Sequence, residues 1–271
     1  MKLKKRFIVL IDFSVYSRNL LKYAHDFSKQ IKAELLLVHQ TTVIAPAIAN
    51  HEIKKRIALQ ANYEALLKLK ELVKNVLPPN TKVDYSVSEV PLEWTLSWLL
   101  DERFENLIFI GLKGTGLLKR LFIGSVAANI IENINNIIVA IPKDINRFTH
   151  EKIFMEITDK HQLKILKSND FLNYIFKGAA SITFFYLAKP SENTQQIEKQ
   201  FKDLSKLYAN KLKTSFIIYN SFTDIKKEIN NKIEEILIIQ KGSRLLTDKL
   251  FRKFLINELV FEGQTPLIVL P

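Results

Sequence analysis

The sequence predicts an α/β fold made of two tandem, doubly wound, five-stranded parallel sheets related by a pseudo-twofold axis, and three observations lead there. Short β-branched runs alternate with helical patterns along the chain, which implies parallel strands joined by right-handed crossovers. The alternation occurs twice, with RFIVLID echoed by KIFMEIT, ENLIFIG by EEILIIQ and IIVAI by LIVL. Between Glu105 and Ile141 a strand runs into a glycine-punctuated turn, which leads into a serine-headed helical pattern. A length of 271 residues suffices for two such units, each with its own core. Their boundaries are placed at 1–145 and 151–271, around the polar connection DINRFTHE.

In the first unit, RFIVLID is a continuous apolar run closed by a carboxylate, so Asp12 falls at the carboxyl end of a strand, where open α/β sheets place ligands. Ser14 or Ser17 can cap the next helix, whose Leu20, Leu21, Ala24, Phe27 and Ile31 recur at helical spacing. ELLLVHQ is the second strand, with Val38 near its exit. TTVIAPAIAN is a poorly patterned connection that either covers a ligand or simply leads into a long amphipathic helix from His51 to about Val76, stopped by Pro78, Pro79 and Asn80. KVDYSV alternates as a third strand. Pro91 then opens a short helix whose Trp94, Leu96, Trp98 and Leu99 read as core positions, since aromatic residues at helical spacing are more often buried than displayed. ENLIFIG and IIVAI are the fourth and fifth strands. The second unit repeats this plan with KIFMEIT, a helical run to Lys177, SITFFYLA, a helix from about Ser191 to Leu212, TSFIIYN, a short polar helix, EEILIIQ, a further helix and PLIVL.

The glycine-rich turn carries the chemistry. Gly111, two residues, Gly114, nine residues, Gly124 and then Ser125 make a cradle of phosphate size, because a residue without Cβ lets backbone N–H groups approach a ligand. Ser125 at a helix N-terminus adds free N–H groups, a hydroxyl and the macrodipole, all of which favour an anion. A P-loop is excluded because Leu117 and Leu118, not Lys and Ser or Thr, follow Gly116. A dinucleotide fingerprint is excluded because Lys119 stands where its third glycine belongs. Turns and helix-sheet packing alone would also use these glycines, but the strand before and the serine-headed helix after favour nucleotide binding.

GLKGTGLLKRLFIGSVA resembles the ATP-binding members of the universal stress protein family at every fixed position, and the following IIVAIP is similar to the family's last strand. The resemblance implies strand order 3-2-1-4-5, which brings Asp12 and Gly111 together at the point where that order reverses. It also implies a site made of Leu10, Asp12, Val38, Ile110, Gly111, Gly114, Gly124, Ser125 and Val126. In that site the Val38 backbone meets adenine, Ile110, Gly111 and Gly114 line ribose and phosphates, and Gly124, Ser125 and Val126 complete the phosphate end. Asp12 would accept from ribose or adenine donors or help hold Mg2+, and its bland alternative is to cap Ser14 or a neighbouring turn. ATP is the implied ligand, with AMP as the alternative. Relatives pair their fifth strands across a homodimer, so here Ile137 to Ile141 is expected to pair antiparallel with Leu267 to Leu270 inside one chain, leaving further dimerisation through another face open.

The second unit is expected to bind no nucleotide in this manner. Gln240 falls at the position of Gly111 and Thr158 at that of Asp12, Arg252 or Lys253 replaces Gly124 and Ser125, and Glu156 places a carboxyl where the first strand has Val9 or Leu10.

Other features narrow the class. Cysteine is absent, which excludes disulfides and thiolate metal sites, and the five histidines lack metal-site spacing. MKLKKRFIVLID is too short for a secretory signal and no run reaches the length of a membrane span, so a cytoplasmic protein without membrane insertion is expected. The net charge of +12 is spread over helix faces with acidic residues between, which favours solvated surfaces over a nucleic-acid partner. Lys113, Thr115, Lys119 and Arg120 can neutralise phosphate charge, but the loop offers no evident general base. Together with the resemblance, this implies a stress-response sensor or switch that works by binding nucleotide. The rival readings are a nucleotide-independent interaction protein and a slow ATPase or phosphotransfer enzyme.

Overall fold

The computed structural model describes residues 3–100, 103–111, 125–158, 169–189, 192–208, 212–221, 224–225, 235–243 and 265–271. In chain order its first half runs β1 (Lys4–Leu10), α1 (Ser17–Ile31), β2 (Glu34–Gln40), α2 (His51–Val76), β3 (Val83–Ser88), α3 (Leu92–Leu99), β4 (Phe104–Gly111), α4 (Ser125–Asn133) and β5 (Ile138–Ile141). The second half runs β6 (Lys152–Glu156), α5 (Asp170–Gly178), β7 (Ser181–Leu187), α6 (Gln195–Tyr208), β8 (Lys213–Tyr219), β9 (Glu235–Gln240) and β10 (Leu267–Leu270).

These strands form one sheet in the order β3-β2-β1-β4-β5-β10-β9-β6-β7-β8. Within each half neighbouring strands are parallel. At the centre β5 meets β10 antiparallel, with Ile138 opposite Val269 and Ala140 opposite Leu267. The antiparallel pairing expected between the two fifth strands of one chain is thus observed, and it joins the two five-stranded arrays into a single ten-stranded sheet. The reason is elementary: the last strand of either half would otherwise present a row of unsatisfied N–H and C=O groups on an apolar edge, and each row satisfies the other.

Local chemistry sets the helix ends. Asn50 caps α2 by accepting the Ile53 N–H at 2.9 Å, and Asn169 caps α5 by accepting the Leu172 N–H at 3.0 Å. The expected serine cap of α1 is not made. Its N-cap is Tyr16, without a side-chain bond, and the Ser17 hydroxyl is turned to Asp12 instead. In α2 only Ala58, Ala65 and Leu69 are buried, while Leu59 and Leu67 stand exposed.

The apolar faces of α1, α2, α5 and α6 cover one side of the sheet and contribute to a single core that crosses from the first half into the second. α3 and α4 cover the other side, around Ile8, Val38, Ile110 and Ile130. The connection between the halves is less polar in its packing than in its composition. Ile145 and Phe148 are buried, and the Phe148 ring stacks on Phe27 of α1 at 3.7 Å. Two further rings from α5, Phe171 and Tyr174, approach the same Phe27 at 5.1 and 6.1 Å. The Tyr174 hydroxyl donates to Gln30 of α1 at 2.7 Å.

α3 departs from expectation. Its buried residues are Thr95 and Leu96, while Trp94 and Trp98 are 63% and 69% exposed. An eight-residue helix makes little more than two turns, and here the smaller side chains take its buried face.

Candidate functional site

The order β3-β2-β1-β4-β5 reverses direction between β1 and β4: the chain moves outward from β1 to β2 in one direction and from β4 to β5 in the other. Connections leaving the carboxyl ends of β1 and β4 therefore part, and a crevice opens between them. A cavity of ≈ 510 Å³ occupies this place. Leu10, Asp12, Val38, Ile110 and Gly111 all line it, as do Ala127 and Ile130 of α4. Ser125 and Val126 are the first two residues of α4, so that helix begins beside the cavity. Gly114 and Gly124 lie outside the described residues.

The lip of the cavity is held by side chains from the turn after β1 and from β2. Asp12 Oδ1 accepts the Ser14 N–H and the Ser17 hydroxyl, each at 2.9 Å, so the carboxylate performs the turn-capping role as well as facing the cavity. Phe13 between them takes φ 58°, a left-handed conformation that is uncommon for a residue with a side chain. Its ring lies 4.4 Å from that of His39. The His39 Nδ1 sits 2.7 Å from the Ile11 carbonyl oxygen, an atom that can only accept, so the ring carries its proton on Nδ1. Burial holds the His39 pKa below the ordinary histidine value, and the imidazole is neutral at pH 7.

The Val38 carbonyl accepts the Ile11 N–H at 2.9 Å, and its side chain gives the cavity an apolar wall. Gly111 is not required by backbone geometry. It is absent from the positive-φ residues, and an added Cβ would meet Leu20 Cδ2 at 3.6 Å, an ordinary contact. Sequence reading missed Tyr16, Gln40, Thr42 and Leu92 in the lining. For Gln40 the signal was available, because alternation along β2 puts residue 40 on the same face as Val38.

The second half has the same frame with other contents. Val9 pairs with Phe109 and Met155 with Ile238, which sets Glu156 at the position of Leu10, Thr158 at that of Asp12 and Gln240 at that of Gly111. Even the hydrogen bond from Ile11 N–H to Val38 recurs, from Ile157 N–H to Phe185 at 2.7 Å. Across this second crevice the Thr158 hydroxyl donates to Gln240 Oε1 at 2.9 Å, tying together the two residues that replace Asp12 and Gly111. Glu156 is fully buried beside Ser243, and burial raises its pKa from 4.5 to about 8.

Residues 4–141 match the model of the universal stress protein family, from the start of β1 to the end of β5. The chain belongs to the universal stress protein family. No curated protein matches the sequence. Among solved structures, a universal stress protein from Archaeoglobus fulgidus DSM 4304 is similar over 97% of this chain and 97% of its own, with TM-score 0.64 and 14% identity. A protein of unknown function from Pseudomonas aeruginosa PAO1 covers 98% of this chain with 92% of its own, at TM-score 0.57 and 11% identity. The cytoplasmic domain of a prokaryotic cation chloride cotransporter covers 98% with 95% of its own, at TM-score 0.54 and 15% identity. At these identities the likeness is one of fold. No helix among the described residues is long and apolar enough to cross a membrane.

Proposed function

We propose that the first half of this universal stress protein binds ATP, one molecule per chain, and that occupancy is the signal the protein passes on in a stress-related response in the cytoplasm. The observation that carries this reading is the cavity between β1 and β4, where Leu10, Asp12, Val38, Ile110 and Gly111 converge on the beginning of α4. The donor set suits the ligand. Apolar walls from Leu10, Val38, Leu92 and Ile110 fit a base, and Asp12 with the neighbouring serines fits a ribose or a hydrated Mg2+. The N-terminus of α4 and the glycines that precede it fit phosphate oxygens. When bound, Mg2+ would neutralise phosphate charge, and the chain's own residues would orient the nucleotide. Among the described residues no group of three side chains could hold a metal by itself.

In this reading residues 1–145 and 151–271 are tandem units of one family, the second having lost its site. The Thr158–Gln240 bond and buried Glu156 support that loss, since the residues at the places of Asp12 and Gly111 are bonded to each other and a buried carboxyl stands at the place of Leu10. Isothermal titration should therefore give one ATP site per chain; two equivalent sites, or none, would refute the proposal. Gly124→Arg, which imitates the second half, should remove measurable binding while far-UV circular dichroism stays unchanged. Normal ATP affinity in that variant would show that the phosphate cradle is elsewhere.

A second reading is favoured by one observation. Trp94 and Trp98 stand exposed on α3, whose first residue, Leu92, lines the cavity. A nucleotide-independent interaction protein would use such a face, and it would show no thermal shift with ATP.

A further inference from the structure

Gln40 ends β2, and its side chain is half-buried where the strand leaves the sheet. It lies on the face shared by Leu36 and Val38, which pack with Ile8 and Ile110, and it lines the same cavity as Leu10 and Ile110. Its amide makes no hydrogen bond to any described residue. The backbone beneath it is fixed. Gln40 is in register with Ser88, the next residue's N–H donates to the Ser88 carbonyl at 2.9 Å, and the Thr41 hydroxyl donates to Asn62 at 2.6 Å. An amide on so fixed a backbone, with its N–H and C=O groups open toward a cavity that also has apolar walls, has the form of a specificity contact.

Its distance from the phosphate end suits a base. β2 is two strands from β4 across the sheet, about 9.5 Å at the usual strand spacing. A nucleotide with phosphates at the start of α4 would place its base near the exit of β2. The second half supplies an internal contrast. Met155 pairs with Phe184 as Val9 pairs with Leu37, so Leu187 is the counterpart of Gln40. The backbone is conserved there, with Ala188 N–H donating to Tyr219 at 2.9 Å as Thr41 N–H does to Ser88. The second half thus carries a buried leucine at the position where the first carries an amide.

We propose that the Gln40 side chain reads the base, its Oε1 accepting from the 6-amino group of adenine and its amide N–H donating to an adjacent ring nitrogen. The proposal rests on the nucleotide-binding reading above. It makes Gln40, rather than the Val38 backbone, the residue that selects a 6-aminopurine.

The test compares ATP with purine riboside 5′-triphosphate, which lacks only the 6-amino group, on wild type and Gln40→Leu. Wild type should bind ATP about tenfold or more tighter than the analogue, and Gln40→Leu should bind the two alike. A side chain with a merely structural role would weaken both ligands equally and keep their ratio, so a retained ratio overturns the proposal. So does a wild type that binds both ligands equally, and in either case ATP binding itself would stand. A wild type that binds neither ligand removes the nucleotide reading and this proposal together.

Discussion

Glu156→Gln should make the protein more stable at pH 8 and remove a loss of stability that the wild type shows as pH rises. The carboxyl is buried in β6, where burial outweighs the opposing hydrogen bonds from Ser243 and the Gln240 backbone and lifts its pKa from 4.5 to about 8. Below pH 4.5 the group is protonated whether folded or unfolded, and its contribution is fully present. Between 4.5 and about 8 the unfolded chain ionises while the native one keeps its proton, so unfolding releases a proton and stability falls by about 1.4 kcal/mol per pH unit. Over that window the loss is on the order of 5 kcal/mol, complete once pH has passed the folded pKa. Glutamine retains an oxygen for both donors and has no proton to lose. His25, His39 and His150 are held below the ordinary histidine range by burial and act in the opposite sense at lower pH, but they are common to both proteins. Urea midpoints of wild type and variant between pH 5 and 8.5 provide the measurement. Parallel curves would mean that Glu156 does not carry the effect.

Phe27→Ala should cost about 3–5 kcal/mol, the range for truncating a fully buried aromatic ring. Phe27 is 0% exposed and gathers rings from parts of the chain that are distant in sequence. Phe7 of β1 lies at 5.2 Å, Phe109 of β4 at 6.3 Å, Phe148 of the connection at 3.7 Å and Phe171 of α5 at 5.1 Å. Removing it opens a cavity where the core of one half passes into that of the other, and these rings belong to separate elements that cannot all close on it. Denaturant unfolding followed by circular dichroism reads the cost. A loss below about 1 kcal/mol would show that the cluster collapses freely and does not join the halves.

Much of the frame was legible because its signals are local. The runs ending at Asp12 and Gly111 are continuous and apolar, as strands buried on both faces must be, and the structure sets them side by side. Glu156 was legible as a charge out of place, since its counterpart Leu10 is apolar. What the sequence hid depends on which neighbour reaches a residue first. Trp94 and Trp98 have the spacing of core residues, yet Thr95 and Leu96 face the sheet, and nothing in eight residues of composition announces that choice. Phe148 sits among polar residues and reads as linker until α1 and α5 are seen to converge on it. The bond from the Ile11 N–H to the Val38 carbonyl was equally hidden, since it depends on where β1 bends away from the sheet.

The antiparallel contact of β5 with β10 has a consequence for symmetry. Two identical chains joined edge to edge must carry identical crevices, so every substitution in one site appears in the other, and ligands bind in equivalent pairs. With both edges in one polypeptide that constraint is lifted. Positions 10 and 156, 12 and 158, 111 and 240 occupy matching places in the sheet but are encoded separately, and one member of each pair can become structural while the other stays open to a ligand. The joint also forms at a local concentration set by the chain rather than by the solution, so it persists on dilution, where an edge-to-edge dimer would come apart.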